Sequence, residues 1–450
     1  MTRSAPFSET TRQWVHIGFG AAALLLPFLN WYQAVAVAAA AVVFNLRLLR
    51  KVAGDRLHRP LELAQTVPMG LALYPTSVLV LLLMLPSRMD IVAGAWGILA
   101  LGDGAATLIG RRYGTTPWPW NRRKSVAGTA ALFLAGGAAG SFLCWWCRPA
   151  IVPPPYLWFS IGAPFLAALV AAAVETIPIR LDDNVSVPLT AATVLWAASI
   201  VSQDLVASML AGLPAVLVYA LPANAAVAFA GYRARTVSMS GALVGAAIGT
   251  IIFVCAGWQG WVLLLACFLC AAVTSRMGLQ RKTLLGIAEE RGGRRGAGNA
   301  IANTGVAMVA AMLAALSYGH DAGLIGMTAA LVAGASDTIA SEIGKAWGTR
   351  TWALLPPRPV RAGTSGAMSV EGTAAGLLGA AALTALAIAL GLVSRAELLP
   401  IVVGAFAGAL AESLLAASLE APGVLNNDAL NFINTALAAY VAISVAGLLS

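Results

Sequence analysis

The feature that most constrains this chain is a series of apolar stretches, each long enough to cross a lipid bilayer. A membrane-spanning helix needs about 20 apolar residues, and we count about fifteen such stretches along the 450 residues. Only 10% of the residues are charged and 59% are hydrophobic, which is typical of integral membrane proteins. The sequence therefore predicts an all-α polytopic membrane protein. The predicted spans lie at 14–29, 32–47, 67–85, 90–110, 126–146, 156–177, 185–201, 205–230, 240–257, 259–275, 299–316, 322–344, 367–394, 398–419 and 429–449.

The distribution of basic residues predicts how the chain is oriented. Cytoplasmic loops of membrane proteins are rich in Lys and Arg. With these boundaries, every Lys and Arg except Arg88, Arg148 and Arg395 falls on one side of the membrane. This partition predicts a cytoplasmic N-terminus and an odd number of spans. The net charge of +9 then describes a cytoplasmic face, which favours membrane lipid or phosphorylated substrates as partners rather than nucleic acid.

The chain also contains an internal repeat. DGAATLIGRRYG at 103–114 aligns without a gap with DTIASEIGKAWG at 337–348. Two further pairs follow in the same order in each half: SVAGTAA at 125–131 with SVEGTAA at 369–375, and LDDN at 181–184 with LNND at 425–428. Motifs repeated in the same order predict two halves that share a common architecture.

Each repeat contains seven predicted spans, so a direct fusion would place the second copy's motifs on the opposite side of the membrane. An extra span between the repeats restores their orientation. We therefore predict two parallel seven-helix repeats joined by a linker helix, with a first domain at 1–204, the linker at 205–235 and a second domain at 236–450.

Acidic residues inside apolar helices are candidates for function, because each charged side chain in the hydrocarbon costs about 2.5 to 3.5 kcal/mol on insertion scales. Beside each group of acids lies a loop rich in Gly, Ser, Thr and basic residues, at 121–129 and 361–373. Such loops suit phosphate oxygens, and carboxylates together with substrate phosphates suit Mg²⁺. The pattern indicates phosphoryl transfer to or from a lipid. The acids are Asp103, Glu175, Asp337, Glu342 and Glu412.

Taken singly, these features have simpler explanations. Asp103 could cap a helix, Lys124 and its neighbouring arginines could be ordinary loop charge, and the glycines could be helix-packing surfaces. Their repetition in the same order favours a functional site. The adjacent carboxylates of LDDN make the best individual case, because they repel each other unless a cation or solvent stabilises both. His16, near basic residues, is more often structural and stays unassigned.

The motifs carry a resemblance to a known family. The first half resembles the phytol kinase and dolichol kinase group of CTP-dependent polyprenol kinases, through RQWVHIGFG, LYP, GDGAATLIGRRYG, KSVAGT and LDDNVSVPL. The second half resembles the related family that contains phytyl-phosphate kinase, through GRRGAGNAIANTG, SDTIASEIGK, GTSGAMSVEGT and LNNDALNFIN. The resemblance implies that each half phosphorylates a prenyl lipid with CTP and Mg²⁺. The first half would make a monophosphate from an alcohol, and the second a diphosphate from that monophosphate.

The resemblance also implies roles for individual residues, as expectations at the matching positions. The catalytic acids would be Asp103, Glu175, Asp337, Glu342 and Glu412, and the metal ligands Asp103, Asp182, Asp183, Asp337 and Asp428. The nucleotide would be bound by Arg111, Arg122, Arg123, Lys124, Ser125, Gly128, Thr129 and Asn184 in the first half, and by Lys345, Arg361, Ser365, Ser369, Gly372, Thr373 and Asn427 in the second. One departure stands out. The pair Asp182 and Asp183 faces two asparagines in the second half, where Glu342, opposite Leu108, is the candidate to compensate.

Three alternatives stay open from the sequence. A transporter also combines parallel repeats with buried acids, but it would concentrate them near the bilayer midplane. A lipid cytidylyltransferase has a similar membrane setting, although the chain lacks the acidic signature of phosphatidate cytidylyltransferases. One half could also be inactive and purely structural, and the changed acid pair makes the second half the stronger candidate.

Overall fold

A computed structural model describes residues 8–49, 52, 69–178, 181–287, 294–420 and 425–449. Each predicted span contains a helix within these residues, so the predicted helical membrane architecture is confirmed. Arg180 and most of the basic residues predicted between 47 and 59 lie outside the described ranges.

Ten helices in the described part of the chain are long and apolar enough to cross a membrane. The other predicted spans coincide with shorter helices, which are Glu9–Gly20 with its 3-10 continuation Ala21–Phe28, Trp31–Arg47, Met69–Met84 and Asp183–Ser199. The total of fifteen spans stays a prediction. The ten helices are Met89–Tyr113, Val126–Ala150, Leu157–Glu175, Gln203–Arg233, Met239–Arg276, Ala297–Leu316, His320–Trp347, Val370–Ala389, Arg395–Ser418 and Asn427–Leu449.

The longest of these helices, Met239–Arg276, folds back on itself at Gly257, whose backbone leaves the helical region (φ 69°, ψ −175°). Both of its ends reach Arg295. The Ser238 N–H donates to the Arg295 carbonyl (3.0 Å), and the Arg295 guanidinium donates to Ser275 Oγ (3.4 Å). A straight helix of 38 residues would be about 57 Å long, so its ends could not meet at one residue. The segment therefore forms two antiparallel helices, in agreement with the two spans predicted there.

The chain divides into two compact units, Met1–Ile200 and Val201–Ser450. The first unit encloses the helix Met89–Tyr113, which is 72% buried over its most apolar stretch, and the second encloses His320–Trp347, which is 78% buried. These two helices carry Asp103 and Asp337. Each unit therefore builds its core around an acid-bearing helix.

Small residues allow the enclosed helices to approach their neighbours closely. A Cβ on Gly97 would lie 3.0 Å from the Ala139 carbonyl oxygen, and a Cβ on Gly376 would lie 3.1 Å from the Ser336 carbonyl oxygen. Tight packing of small residues is the main way in which helices associate within a bilayer, where lipid tails are as apolar as leucine.

Short β-structures, which we did not predict, follow the acid-bearing helix in each unit. In the first unit, Pro117–Trp118 pairs antiparallel with Asn121–Ser125. In the second, Thr351–Leu354 lies between Pro357–Pro359 and Ala367–Ser369. Both structures return the chain to the end of the acid-bearing helix, and this brings the predicted phosphate loops beside the acids.

Candidate active site

Asp103 is buried at the end of a π-helical turn, Ile98–Asp103, within the Met89–Tyr113 helix. This turn packs against a second π-helical turn, Leu132–Gly136. The two are close at Gly102 and Gly136, since a Cβ on Gly102 would lie 3.1 Å from the Gly136 Cα. Single π turns inside α-helices occur frequently at functional sites, because the extra residue redirects the side chains that follow it. The irregular turn thus marks Asp103 as a functional candidate independently of its charge.

Three carboxylates of the first unit converge. Asp103, Glu175 and Asp183 each offer an oxygen atom, and these atoms lie within 4.8 Å of one another. Glu175 is the last residue of one helix and Asp183 is the first residue of the next, so the turn between those helices brings both acids to the same end of the unit. Among the site residues that we predicted, these three form the group, which we call the first-unit acid group.

Lys124 lies among these acids. Its Nζ is 2.5 Å from Glu175 Oε1 and 2.7 Å from Asp183 Oδ2. One ammonium facing three carboxylates leaves two negative charges uncompensated when all three acids are ionised. Buried charge without a partner is strongly unfavourable, so this group is neutralised by protons or by a cation, and its oxygen atoms could hold a divalent cation.

The electrostatics of the group keep Lys124 protonated. Burial alone would lower the pKa of Lys124, but the carboxylates of Asp183 and Glu175 outweigh burial and raise the pKa above its usual value. Lys124 is therefore a fixed positive charge at neutral pH.

His16 completes the surroundings of Asp103, and sequence reasoning left it unassigned. Its Nε2 lies 3.6 Å from Asp103 Oδ2 and 3.2 Å from the Leu99 carbonyl oxygen. The helix that carries it crosses the Asp103 helix closely, because a Cβ on Gly20 would collide with the Ala100 Cβ. The signals in the sequence are a histidine in an apolar span and its place in the RQWVHIGFG motif, and neither identifies Asp103 as its partner.

Asp182 and Asn184, predicted as a metal ligand and a nucleotide-binding residue, form a helix cap. Asp182 Oδ1 accepts hydrogen bonds from the Asn184 backbone N–H (2.9 Å) and from Asn184 Nδ2 (2.8 Å). The structure therefore brings Asp183 into the acid group and places Asp182 at the N-terminus of the helix. Adjacent acids in one motif thus have different surroundings.

The predicted phosphate loop of the first unit is held by hydrogen bonds among its own residues. Ser125 Oγ accepts from the Gly128 N–H (3.2 Å) and caps the helix that follows. Thr129 Oγ1 donates to the Ser125 carbonyl oxygen (3.1 Å) and accepts from Trp118 Nε1 (2.9 Å). Ser125, Gly128 and Thr129 therefore shape the loop, whereas the exposed predicted residues are Arg111, Arg122 and Arg123.

Two side chains anchor this loop to the end of the Glu175 helix. Trp120 Nε1 donates to Thr176 Oγ1 (3.2 Å), and Asn121 Nδ2 donates to the Thr176 carbonyl oxygen (3.1 Å). Trp120 also stacks on Trp118, with ring centroids 4.8 Å apart. Lys124 reaches Glu175 because the loop is fixed one residue beyond that acid.

The second unit has the same local arrangement at the equivalent loop. Ser369 Oγ accepts from the Gly372 N–H (3.0 Å) and caps the helix Val370–Ala389, with Thr373 in its first turn. Ser413, which follows Glu412, donates from Oγ to the Gly366 carbonyl oxygen (2.6 Å). Ser365 bonds to Glu420, and Arg361 is exposed.

The acids of the second unit have different partners. Asp337 and Glu412 are close enough to interact electrostatically, and Glu412 Oε2 accepts from Asn434 Nδ2 (2.8 Å). Glu342 instead pairs with the buried Lys282 and with Lys345, the latter at 3.0 Å. Asp337 and Glu342 are five residues apart and so point about 140° apart around the helix. The two acids therefore leave the helix in different directions, although the charge of Lys345 acts on both.

The next two predicted residues of the second unit, Asn427 and Asp428, have different surroundings. Asn427 is exposed. Asp428 lies against the first turn of the Ala297–Leu316 helix, where a Cβ on Gly298 would collide with Asp428 Oδ2. A carboxylate at a helix N-terminus is stabilised by the helix dipole. Within the described residues, the first-unit acid group is the one cluster of three His, Cys, Asp or Glu side chains with metal-binding spacing.

Comparison with known proteins identifies the family. A family model described as "Integral membrane protein DUF92" matches residues 222–439. The uncharacterized membrane protein sll0875 of Synechocystis is 37% identical over 204 residues, which is 44% of this chain and 78% of the relative. No solved structure matches the chain significantly.

Two other relatives come from plants. Protein VTE6, chloroplastic, of Arabidopsis thaliana is 34% identical over 213 residues, 46% of this chain and 64% of the relative. Probable phytol kinase 2, chloroplastic, of Glycine max is 30% identical over 185 residues, 40% of this chain and 56% of the relative. The chain thus spans between about half and two thirds of the length of these plant proteins. The coverage of the cyanobacterial relative, together with the family match, shows that this integral, multi-pass membrane protein belongs to the DUF92 family.

Proposed function

We propose that the protein is a prenyl-lipid kinase with two successive activities. The first unit phosphorylates an isoprenoid alcohol, and the second phosphorylates the resulting monophosphate. The observation that carries the proposal is the first-unit acid group, Asp103, Glu175 and Asp183 around Lys124, at the ends of buried helices and beside a Ser-capped loop. The likeness to a probable phytol kinase supports a lipid alcohol as the acceptor.

The residues of the acid group fit Mg²⁺. The three carboxylates supply hard oxygen ligands, which Mg²⁺ prefers, and one lysine leaves a surplus of two negative charges. When bound there, Mg²⁺ would neutralise charge on the phosphates of the nucleotide. The donor nucleotide is proposed to be CTP from the family resemblance of the sequence.

The neighbouring loop suits a nucleoside triphosphate. Arg111, Arg122 and Arg123 are exposed, so their guanidinium groups are available to phosphate oxygens. Lys124, fixed between Glu175 and Asp183, adds a permanent positive charge beside Asp103. Positioning and charge neutralisation are the main requirements of phosphoryl transfer, and these residues supply both.

The second unit is proposed to act on the monophosphate through Asp337 and Glu412. The acceptor there is already anionic, so fewer carboxylates around the reacting groups reduce repulsion. Asn434, which donates to Glu412 without adding charge, fits that requirement. A monophosphate made by the first unit would be consumed without leaving the membrane.

The test is a phosphorylation assay on the purified full-length protein in lipid nanodiscs. We expect label from γ-labelled CTP in both the mono- and diphosphate of geranylgeraniol, and less label from ATP. Asp103→Asn should form neither product from the alcohol, yet should convert added geranylgeranyl monophosphate to the diphosphate. Asp337→Asn should stop at the monophosphate.

Two outcomes would contradict the proposal. If no prenyl alcohol or monophosphate is labelled by any nucleotide, the protein is not a prenyl-lipid kinase, and transport assays in proteoliposomes follow. If Asp103→Asn and Asp337→Asn abolish the same step, the division of labour between the units is wrong.

A further inference from the structure

The first unit contains an apolar cavity of about 210 Å³. Its walls come from the first three helices and include Leu26, Ala34, Ala38, Val78 and Leu82. These five side chains are at most 7% exposed, so this part of the cavity is enclosed by protein. Nothing in the proposed chemistry so far uses it.

One edge of the cavity opens at the surface of the unit. Phe19, Leu25 and Val37 line it and are 47%, 54% and 55% exposed. Large apolar side chains that are half exposed on membrane helices contact lipid tails. The edge therefore offers an entry from the bilayer for an apolar chain.

The opposite end of the cavity is polar and adjoins the acid group. Arg12, His16, Tyr74 and Asn184 are among the residues that line it. Tyr74 accepts a hydrogen bond from Trp96 Nε1 (2.8 Å), and its ring packs edge-on against His16, with centroids 4.5 Å apart. Because His16 Nε2 lies 3.6 Å from Asp103 Oδ2, the cavity ends one side chain away from the acid group.

We propose that this cavity binds the head-proximal part of the isoprenoid acceptor and that His16 holds its terminal hydroxyl at the end of the cavity, one side chain away from Asp103. The inference rests on the proposed kinase function and assigns its acceptor site. A molecule with an apolar tail and a polar head matches a cavity whose lining is mostly apolar and whose polar residues include His16 and Arg12.

The hydrogen bond of His16 determines what the imidazole offers. The Leu99 carbonyl oxygen can only accept, so the bond at Nε2 requires the proton on that nitrogen. Nδ1 of the neutral ring is then the acceptor, able to take a hydrogen bond from a lipid hydroxyl. His16 would in this way hold and orient the hydroxyl for the transfer, which makes it a positioning residue.

The volume fits part of a prenyl chain. An apolar cavity of about 150 Å³ is sufficient for a benzene-sized ligand. A cavity of 210 Å³ therefore accommodates the first isoprene units, while the remaining chain stays in the bilayer. The first unit would then accept isoprenoid alcohols of different lengths that share the same allylic end.

The second unit provides a matched control. Its apolar cavity of about 140 Å³ is lined by Ala242 and by Leu331 and Ala335 of the Asp337 helix. That cavity belongs to the second unit, so filling it should leave the first reaction unchanged.

The experiment uses a photoreactive diazirine analogue of geranylgeraniol with the full-length protein in nanodiscs. We expect cross-links in the wild type within 19–41 and 74–82, reduced by excess geranylgeraniol. Ala38→Phe should reduce the cross-link yield at least tenfold and raise KM for the alcohol, with little change in kcat. Ala242→Phe, at a position with the same 7% exposure, should change neither.

The role of His16 is tested by His16→Gln, which can still donate to the Leu99 carbonyl. We expect cross-linking as in the wild type and at least a tenfold lower kcat, with an unchanged KM for the alcohol. Wild-type kcat in His16→Gln would mean that the histidine is structural and would overturn its assigned role.

The remaining outcomes separate this inference from the proposed function. Unchanged cross-linking in a folded Ala38→Phe protein, with alcohol phosphorylation intact, overturns the cavity and leaves the kinase. Cross-links in the cavity that Ala38→Phe removes, without phosphorylation of any alcohol, support the lipid site and overturn the kinase. Size-exclusion profiles and Tm confirm that each variant is folded.

Discussion

The two units place aligned acids in different electrostatic surroundings. In the first, Asp103 and Glu175 are joined by Asp183 and by the ammonium of Lys124. In the second, Glu412 has the neutral amide of Asn434, Asp337 interacts electrostatically with Lys345, and Met368 occupies the position aligned with Lys124. The shared motifs thus preserve where the acids lie, whereas residues outside the strictest matches decide how their charge is balanced.

The predicted phosphate loops of the two units differ in length and strand content. They are nevertheless anchored to the neighbouring helix in the same way. Thr176 and Ser413, each directly after the aligned glutamate, hold the loop through Trp120 in one unit and the Gly366 carbonyl in the other. Ser125 and Ser369 cap the following helix with the same backbone angles within 2°. A hydrogen bond at the residue after Glu175 and after Glu412 therefore anchors each loop, although the loops themselves differ.

The largest expected effect concerns the ion pairs of Glu342 in the second unit, because Leu108 occupies the aligned position in the first. Lys282→Met should destabilise the protein by about 3 kcal/mol, because Glu342, 2% exposed, loses its buried partner and keeps only Lys345. The double variant Lys282→Met, Glu342→Leu, which copies Leu108 of the first unit, should recover most of that stability. Thermal unfolding in detergent measures both.

The same pair of variants decides the role of Glu342. If the stable double variant still forms diphosphate from monophosphate, Glu342 is structural. If diphosphate formation is lost while stability is restored, Glu342 takes part in the second reaction.

The next effect concerns Asp183, the acid of the first unit that aligns with Asn427 in the second. Asp183→Asn, which makes the first unit resemble the second at the position of Asn427, should lower alcohol phosphorylation on the order of 100-fold, because it removes a charge from the acid group. Mn²⁺ binding followed by electron paramagnetic resonance should weaken in parallel. Asp182→Asn is the matched control, since Asp182 caps the helix, and it should lower activity much less.

Lys124→Met tests the role of the ammonium that compensates the carboxylates of the first unit. We expect a loss of about 2 kcal/mol, less than for a fully buried pair because Asp183 is 35% exposed. Added Mg²⁺ should restore more stability in this variant than in the wild type. Met368→Lys should leave alcohol phosphorylation unchanged. Equal stabilisation of the wild type and Lys124→Met by Mg²⁺ would contradict a cation at the acid group.

The raised pKa of Lys124 predicts how the stability difference between the wild type and Lys124→Met depends on pH. A lysine whose pKa is higher in the folded state stabilises fully below its unfolded pKa of about 10.4, and the contribution disappears as pH rises through the folded value. The difference in Tm between wild type and Lys124→Met should therefore be constant between pH 7 and pH 9. A decline within that interval would mean that the ammonium is not held by the carboxylates.

The smallest effect concerns the loop anchors. Trp120→Phe removes the hydrogen bond to Thr176 and should cost about 1 kcal/mol of stability, while raising KM for the nucleotide a few fold. Ser413→Ala should affect only the second reaction, and to a similar degree. A change in KM for the lipid rather than for the nucleotide would assign the loop to the acceptor.

The sequence by itself determined the membrane class, the helical segments and which acids carry the repeated motifs. These follow from local composition and periodicity, since a bilayer admits few structures other than long apolar helices. Even the reversal at Gly257 was predictable, because two apolar stretches meet there.

Only the tertiary structure decided which of these residues meet. It joined Asp183 but not Asp182 to Asp103 and Glu175, paired Glu342 with Lys282, and placed His16 beside an acid 87 positions further along the chain. Such contacts depend on helix rotation and on irregular turns such as Ile98–Asp103. A shift of one residue turns a helical side chain by about 100°, which is enough to move it from one neighbour to another and which no local pattern specifies.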